Sequence, residues 1–203
     1  HGLGKVPKWI LQKSRERTDY NWQVYHGKVA SDPETDFLRL NTTAAVADNN
    51  TVWNDTAPTS SVISLGNNIG GNADGEDILV YAFAEIKGYS KFGSYTGNGN
   101  ADGPFVYTGF KPAWVMAKKT SAVGAWHMWD IKRDTTNPNS ERLLANTTDA
   151  EATLSGVNID HLSNGFKLRN SDGALNGSDA TYIYMAFAEH PFVSSKGVPV
   201  TAR

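Results

Sequence analysis

The stretch Thr181–Glu189, TYIYMAFAE, decides the fold of this chain. Side chains alternate between the two faces of an extended strand, so Ile183, Met185 and Phe187 share one face, while two tyrosines and two alanines share the other. A strand that is apolar on both faces is typical of the middle of a covered sheet. We therefore predict a central strand here, with Phe187 in the core.

A second version of this stretch lies near the middle of the chain, where Tyr81–Glu85 reads YAFAE and places Phe83 at the equivalent core position. Other phrases recur in the same order at an offset of 104 or 105 residues, which is the size of a domain. They are Lys8–Lys13 with Ala113–Lys118, Asn21-Trp22 with Ala125-Trp126, and Leu40–Thr43 with Ala145–Thr148. The pattern predicts a duplication, with a first unit over residues 1–88 and a second over residues 89–203.

Short apolar segments dominate both predicted units, and clusters of Asn, Asp, Gly and Ser separate them. Such segments are typical of antiparallel strands in all-β proteins. A short helix is expected only around Thr147–Thr153. The predicted fold is all-β, with two tandem copies of one antiparallel, jelly-roll-like β-sandwich. The predicted strands cover 9–13, 22–26, 37–40, 62–65 and 78–85, and then 114–118, 126–131, 142–145, 165–168 and 182–189.

The joint between the units carries strand-like segments at Tyr89–Tyr95 and Phe105–Tyr107, ahead of the second copy. The first copy has almost nothing ahead of Gly4, so we expect its lead-in strand to precede His1 in a longer gene product. We interpret the short Ser/Gly/Pro tail after Pro191 as a natural end. Two arrangements stay open: separate sandwiches, or units that exchange their lead-in strands.

Charge and composition exclude several classes of function. The 203 residues carry 19 Lys+Arg against 21 Asp+Glu, a net charge of -2, whereas nucleic acids and anionic membranes attract concentrated basic surfaces. There is no cysteine, which excludes disulfides and thiolate chemistry. No apolar stretch approaches the length of a membrane span. We expect no nucleic-acid partner and no membrane insertion.

No pattern of catalytic residues stands out in the sequence. Glu85 and Glu189 occupy equivalent positions in the two copies, and neither has a second acid fixed beside it, as glycoside hydrolysis requires. The five histidines lack metalloprotease spacing, and no serine lies in a nucleophile elbow. Structural hydrogen bonding is the favoured role of the two glutamates, and we expect the chain not to be an enzyme.

Asn98, Asn100 and Asp102 have the alternating spacing of the first half of a calcium-binding loop. The twelfth position of that loop is Gly109, where an EF-hand requires a bidentate glutamate. A turn is therefore the favoured interpretation, with calcium as the alternative. No other cofactor is expected.

Exposed aromatic side chains are candidate sugar-binding residues, because a flat ring matches the C–H face of a pyranose. Trp53 and Trp129 have no tryptophan counterpart in the other copy, which favours exposure. Trp9 and Trp114 are equivalent within apolar runs and are expected in the core. The candidate set for glycan binding is Trp22, Tyr25, Trp53, Trp126 and Trp129.

Three phrases carry a resemblance to a known family: GYSKFGSYTGNGNADGPFVYTGFKPAWVM, IDHLSNGFKLRN and YIYMAFAEHPFVSSKGVPVTAR. They are similar to uncharacterised duplicated β-domains at the C-terminal ends of structural proteins of marine and cyanobacterial bacteriophages. The resemblance spans essentially the whole chain. It implies assembly in the host cytoplasm and a virion location, in a tail fibre, an adhesin or a capsid decoration. It implies other virion proteins as partners and brings no catalytic residues.

The leading hypothesis is a homo-oligomeric tail-fibre or appendage module that binds host-surface glycan. Weak sites repeated by duplication and oligomerisation would then produce avidity. One alternative is a purely structural virion protein without a ligand. Others are a polysaccharide depolymerase, which requires two carboxylates facing each other in one groove, and a cellular carbohydrate-binding module.

Overall fold

The computed structural model describes residues 1–191, so the expected C-terminal tail lies outside the described residues. Over this range the fold is all-β with three antiparallel sheets, and the predicted all-β, antiparallel class is confirmed. The chain divides into two compact units, His1–Ala84 (unit 1) and Glu85–Arg203 (unit 2). No helix within residues 1–191 has the length and apolar character needed to cross a membrane.

Unit 1 is built from one antiparallel sheet and one helical turn. The elements are β1 (Pro7–Ser14), β2 (Gln23–His26), β3 (Asp36–Arg39), β4 (Ala47–Asp48), α1 (Asn50–Trp53) and β5 (Ile78–Ala84). The strands lie in the order β4-β3-β2-β1-β5. Most neighbours in this order are also consecutive along the chain, as the short connections of an antiparallel sheet allow.

The core of unit 1 lies between this sheet and α1. Asn49 begins the helix, because its side-chain oxygen accepts a hydrogen bond from Thr51 N at 2.9 Å. Asn54 ends the helix in the left-handed region, at a φ of 55°. The short helix directs Trp53 into the core, where its ring meets that of Tyr25 edge-on at 5.8 Å. The buried cluster consists of Ile10, Tyr25, Phe37, Val52 and Trp53.

The described part of unit 2 contains nine strands in two sheets. They are β6 (Ser90–Thr96), β7 (Phe105–Tyr107), β8 (Pro112–Lys119), β9 (Trp126–Asp130), β10 (Glu141–Leu144), β11 (Ala152–Thr153), β12 (Ile159–Leu162), β13 (Gly165–Leu168) and β14 (Thr181–Ala188). The larger sheet has the order β11-β10-β9-β8-β14-β6, and the smaller has the order β12-β13-β7. The predicted central strand is confirmed, since β14 lies between β8 and β6.

The two sheets of unit 2 pack as a β-sandwich around one buried cluster. The larger sheet contributes Val115, Trp129 and Tyr184, and the smaller contributes Ile159 and Phe166. The rings of Phe166 and Tyr184 meet edge-on, with centroids 5.3 Å apart. Burying each such side chain contributes about 2 kcal/mol. The cluster is therefore a large source of stability for unit 2.

The sheet of unit 1 has the same strand order as the run from β11 to β14 in unit 2. The register agrees as well: Trp9 pairs with Phe83, and 105 residues after Trp9, Trp114 pairs with Phe187. Each ladder has a register shift at the next pair, beside the proline that begins the strand. Unit 2 adds β6 and the second sheet to this arrangement. The duplication itself stays an inference.

Two predicted elements are wrong. Residues 62–65 form no strand, and this segment packs on the core of unit 1 as irregular chain. Thr147–Thr153 forms no helix, because Arg142 of β10 pairs with Ala152 and thereby creates β11. The helical turn is α1, which depends on an asparagine cap and on packing rather than on a long helical pattern.

The core positions predicted for Phe83 and Phe187 are wrong, since both side chains are only half-buried. The interior of the unit 2 sandwich meets the opposite face of β14, which carries Tyr184 and Ala186. Phe187 lies on the outer face, where its ring is 5.9 Å from that of Trp114. The alternation predicts two faces, but not which of them the second sheet covers.

Candidate functional site

Four of the five aromatic side chains predicted to bind sugar are buried. The exposed fraction is 0% for Trp126 and Trp129, 2% for Trp53 and 4% for Tyr25. The expected exposure of Trp53 and Trp129 is therefore wrong. Tyr25, Trp53 and Trp129 belong to the two buried clusters, where the large area of each ring contributes more to stability than it does at a surface.

Trp22, the fifth candidate, is half-buried at the surface of unit 1. Its ring lies nearly parallel to the ring of Tyr81, with centroids 6.4 Å apart and 18° between the planes. Tyr81 exposes 48% of its surface and is absent from the predicted set. Trp22 is thus the one member of that set that reaches solvent.

Asn98, Asn100 and Asp102 lie in the turn between β6 and β7, and protein groups occupy their polar atoms. Asn98 Oδ1 accepts hydrogen bonds from Asn100 N at 3.0 Å and from Asn176 Nδ2 at 2.9 Å. Asn100 Oδ1 accepts one from Asp102 N at 2.9 Å. These are the bonds of consecutive Asx turns. The geometry supports the turn interpretation over the calcium loop.

Asp102 is exposed, and its carboxylate lies 2.9 Å from Lys167 Nζ. The hydrogen bond from Lys167 is the main cause that lowers the pKa of Asp102 below its usual value. A cation at this point would compete with the ammonium group for the same oxygen. Within residues 1–191, no three His, Cys, Asp or Glu side chains are grouped closely enough to hold a metal ion.

A cleft of about 340 Å³ in unit 2 combines an exposed aromatic ring with charged and hydroxyl groups. We call it the Tyr107 cleft. Small-ligand sites are concave, and a few polar groups accompany their apolar or aromatic surface. This cleft is therefore the candidate site. Its lining residues are Glu85, Lys87, Gly88, Ser90, Lys91, Tyr107, Thr108 and Gly109.

Tyr107 supplies the aromatic surface of the Tyr107 cleft. Along β7 the side chains are exposed, buried and exposed in turn, so Val106 faces the core and Tyr107 exposes 64% of its surface. Its backbone is held by β13, where Tyr107 pairs with Gly165. Gly109 follows at a φ of 84°, a left-handed conformation that glycine adopts without strain. The ring consequently projects from a fixed strand end.

Glu85 and Lys91 form the polar side of the cleft, with Lys91 Nζ 2.8 Å from Glu85 Oε1. A tight turn brings them together: Ser90 N donates to Ile86 O at 2.9 Å, and Gly88 takes a left-handed φ of 75°. The side chain of Lys91 is 35% exposed and that of Glu85 is 34% exposed. An ion pair with this exposure contributes only about 0–1 kcal/mol, so a ligand displaces it at little cost.

The arrangement suits a polyhydroxylated ligand. The Glu85 carboxylate accepts hydrogen bonds and the Lys91 ammonium donates them, so together they match both functions of a sugar hydroxyl. The Tyr107 ring offers a flat surface for a C–H face. A bound sugar would exchange one weak ion pair for several hydrogen bonds and a stacking contact.

Glu189 lies in a separate cleft of unit 2, with a volume of about 180 Å³. Lys111 Nζ lies 2.8 Å from its carboxylate, and the hydrogen bond from Lys111 lowers the pKa of Glu189. His161 lines the same cleft, and burial lowers its pKa to about 4. Each of the two glutamates considered in the sequence is thus one partner of an ion pair with a lysine.

Tyr107 was not recognised in the sequence, because Phe105-Val106-Tyr107 has the composition of any short lead-in strand. Its exposure follows from the register of β7 against β13, which determines that Val106 faces inward. That pairing joins segments about 60 residues apart. No local signal in the sequence predicts it.

Comparison with known proteins identifies a family of unknown function. A family model described as "Domain of unknown function (DUF7483)" matches residues 1–191, which is most of the chain. No curated protein and no solved structure matches the chain.

Proposed function

Because the chain belongs to the DUF7483 family, whose description assigns no activity, we propose its function from its own site. It is a non-enzymatic bacteriophage virion module of the tail-fibre or appendage type, and it binds glycan on the host surface. The observation that carries this proposal is the Tyr107 cleft, where a ring with 64% of its surface exposed stands beside the Glu85–Lys91 ion pair. The proposed binding site is this cleft and not the buried tryptophans.

The exposure of Tyr107 favours a ligand-binding role. It is the most exposed of the large aromatic side chains in the described part of the chain, and exposed apolar surface rimmed by polar groups marks interaction sites. The cleft volume of about 340 Å³ is at the lower end of small-ligand sites, which span about 300–1,000 Å³. That size favours a short saccharide unit rather than a protein surface.

The virion location is supported by the resemblance of the phrases at residues 88–116, 159–170 and 182–203 to bacteriophage structural proteins. A single small cleft binds weakly, so attachment requires many copies acting together. We therefore infer a homo-oligomer with other virion proteins as partners. Host-surface polysaccharide, which repeats one sugar unit many times, is the complementary ligand for such an array.

The state of the carboxylates favours binding over hydrolysis. A glycosidase needs two acids about 5–10 Å apart in one groove, and one of them needs a raised pKa. Glu85 lines the Tyr107 cleft in an ion pair with Lys91. Glu189 lines a different cleft, and its ion pair with Lys111 lowers its pKa. The two carboxylates line different clefts and each is paired with a lysine, so they do not form the facing acid pair of a glycosidase.

A glycan array that includes host-envelope polysaccharide, with sugar release measured in parallel, tests the proposal on the full chain. Tyr107→Ala should weaken binding at least about tenfold, since truncating a central aromatic contact costs about 2 kcal/mol. Tyr81→Ala is the matched control. It removes a 48% exposed tyrosine from unit 1 and should leave the affinity unchanged.

Three other outcomes would replace the proposal. Binding lost with Tyr81→Ala but kept with Tyr107→Ala would place the site at the Trp22–Tyr81 ring pair. No binding at high micromolar concentration would favour a purely structural role, as a capsid decoration or fibre spacer. Release of sugar would establish the depolymerase alternative.

A further inference from the structure

The cleft of about 180 Å³ in unit 2 shares no lining residue with the Tyr107 cleft. We call it the His161 cleft. Its polar lining supplies both donors and acceptors of hydrogen bonds, and it includes Lys111, Lys132, Thr135, Asn137, His161 and Glu189. The glycan site at Tyr107 uses none of these groups.

The imidazole of His161 has one bonded nitrogen and one unpaired nitrogen. The residue is 5% exposed, and its Nδ1 lies 3.1 Å from Pro112 O. Burial lowers the pKa of His161 to about 4, so the ring is neutral at pH 7. A carbonyl oxygen only accepts hydrogen bonds, so Nδ1 carries the proton and Nε2 has the lone pair. Within residues 1–191, Nε2 is buried and has no hydrogen-bond partner.

An unpaired buried acceptor favours any ligand that can donate to it. Leaving such a group without a partner is costly, whereas a hydrogen bond to it recovers part of that cost. His161 lines the cleft, so a small molecule in the cleft is the nearest source of a donor. The ligand should therefore carry an O–H or N–H group.

The loop between β9 and β10 forms one wall of the cleft, and its own side chains hold it in place. Asn137 Nδ2 donates to His161 O at 3.0 Å, and Asn137 Oδ1 accepts from His161 N at 2.9 Å. Asp134 Oδ1 accepts from the Thr136 hydroxyl at 2.7 Å, and Asp134 Oδ2 accepts from Ser140 N at 3.0 Å. The loop is thus tied to β12 and to itself. A site that is already ordered loses little entropy when it binds.

The charges of the cleft restrict the ligand further. Lys111 Nζ lies 2.8 Å from the Glu189 carboxylate, and Lys132 adds a second ammonium group. A cationic ligand would meet these two ammonium groups. An anionic ligand would meet the Glu189 carboxylate and the lone pair of His161. A neutral ligand with several hydroxyls avoids both conflicts, because each hydroxyl can donate to one group and accept from another.

We propose that the His161 cleft is a second ligand site of unit 2, and that it binds one neutral sugar residue. One sugar hydroxyl donates to His161 Nε2, and another accepts a hydrogen bond from Lys132 Nζ. The choice of a sugar among polyhydroxylated compounds rests on the function proposed above. The volume of about 180 Å³ lies below the range of about 300–1,000 Å³ of larger ligand pockets, so it suits a single ring.

The site adds affinity and selectivity to the proposed function. Together with the Tyr107 cleft it gives unit 2 two weak sites for a repeating polysaccharide, and two linked contacts bind more tightly than one. A sugar that lacks the donating hydroxyl would leave His161 Nε2 unpaired. Sites built around such a hydrogen bond discriminate strongly against analogues that lack it.

The test is NMR of the imidazole nitrogens in the full chain, titrated with glucose, galactose and N-acetylglucosamine up to high millimolar concentration. We expect at least one of these sugars to shift the Nε2 signal of His161. His127 is the internal control, since its Nε2 is also buried without a partner in the described part of the chain, yet it lines neither cleft. His127→Gln and His161→Gln assign the two signals.

A pair of surface variants tests the second contact. Lys132→Gln should weaken the binding of that sugar at least about threefold, since it replaces the ammonium donor of an exposed side chain. Lys28→Gln, at an exposed lysine of unit 1, is the matched control and should leave the affinity unchanged.

Four results would overturn the proposal. They are no shift of His161 Nε2 with any of the three sugars, an equal shift at His127, equal affinities of the two lysine variants, and a shift caused by acetate or methylammonium but by no sugar. The His161 signal reports this cleft alone. If His161 responds to a sugar while the glycan array shows no binding through Tyr107, this site stands and the function proposed for the Tyr107 cleft fails.

Discussion

β5 in unit 1 and β14 in unit 2 hold equivalent places in their sheets but differ in burial. Val80 and Tyr81 expose 38% and 48% of their surface, whereas Tyr184 and Met185, each 104 residues later, expose 3% and 4%. β14 pairs with both β8 and β6, and β5 pairs with β1. The neighbouring strands decide whether a side chain at this position is core or surface.

The layer that covers the sheet also differs between the two units. In unit 2 the sheet β12-β13-β7 covers the larger sheet, and the two share one buried cluster. In unit 1 the corresponding cover is the helical turn α1 with irregular chain, and its buried cluster is smaller. Stability follows the apolar area removed from water. We therefore expect unit 2 to unfold at a higher urea concentration than unit 1.

Trp129→Ala should have the largest effect on this difference. Its ring is 0% exposed in the core of unit 2, and truncating a buried tryptophan costs about 3–5 kcal/mol. Urea unfolding, read by amide exchange in each unit, should show unit 2 losing its advantage over unit 1. Trp22→Ala, at a half-buried position in unit 1, should cost less than about 1.5 kcal/mol. Equal effects of the two changes would contradict the assignment of the core.

Acidification should weaken unit 2. Burial lowers the pKa of His127 to about 3 and that of His161 to about 4, from 6.5. Below about pH 6.5 the two imidazoles bind protons in the unfolded chain but not in the folded unit. Their contribution to the free energy of unfolding is therefore complete above pH 6.5 and declines towards pH 4. At pH 5 the loss is roughly 2 kcal/mol per histidine. Urea unfolding at pH 7 and pH 5 measures it, and His161→Gln should remove about half of the decline. If the urea midpoint of unit 2 were the same at pH 7 and pH 5, the burial of both imidazoles would be contradicted.

Asn176→Ala and Asn72→Ala compare two asparagines that lie 104 residues apart. Asn176→Ala should destabilise unit 2 by about 2 kcal/mol, because it leaves buried groups of the Asn98 turn without their partners. Asn72→Ala should cost unit 1 no more than about 0.5 kcal/mol, since that side chain is exposed. Thermal unfolding of each variant measures the difference. Similar losses would contradict the difference in burial between the two side chains.

Gly93→Ala should have the smallest effect of these four predictions. The substitution lies in β6 itself. A Cβ at Gly93 would lie 2.6 Å from the hydroxyl oxygen of Tyr184 and 2.7 Å from its ring. Pushing β6 from β14 should cost about 1–2 kcal/mol and should speed amide exchange in β14, so that it resembles β5. Ser94→Ala, at an exposed position of the same strand, is the control. Unchanged exchange in β14 would show that β6 does not protect it.

Strands were predictable where apolar residues alternate over several positions. The prediction at 114–118 corresponds to β8 (Pro112–Lys119), and the one at 165–168 coincides with β13. The elements that were missed are short. β4 and β11 contain two residues each and exist because a neighbouring strand pairs with them. Such strands are products of pairing rather than of local preference.

The candidate site was less predictable than the strands. Aromatic composition predicts which residue types bind sugar, yet Trp53, Trp126 and Trp129 proved to be core residues. The most exposed aromatic ring in the described part of the chain is Tyr107, at the end of a three-residue strand. A shift of one residue in the pairing register of a strand moves the side chains of each face to the opposite face. A site residue on such a strand is therefore known only when the register is known.

Local patterns were sufficient for the all-β class, for most strand positions and for the recurrence of phrases at a constant offset. Alternating polarity and turn residues are properties of neighbouring positions in the chain. The burial of Trp129 and the exposure of Tyr107 required the tertiary structure. The sheet β12-β13-β7 covers the face of the larger sheet that carries Trp129, while Tyr107 stays outside that cover at the strand end. Burial depends on segments far apart in sequence, and only the folded chain brings those segments together.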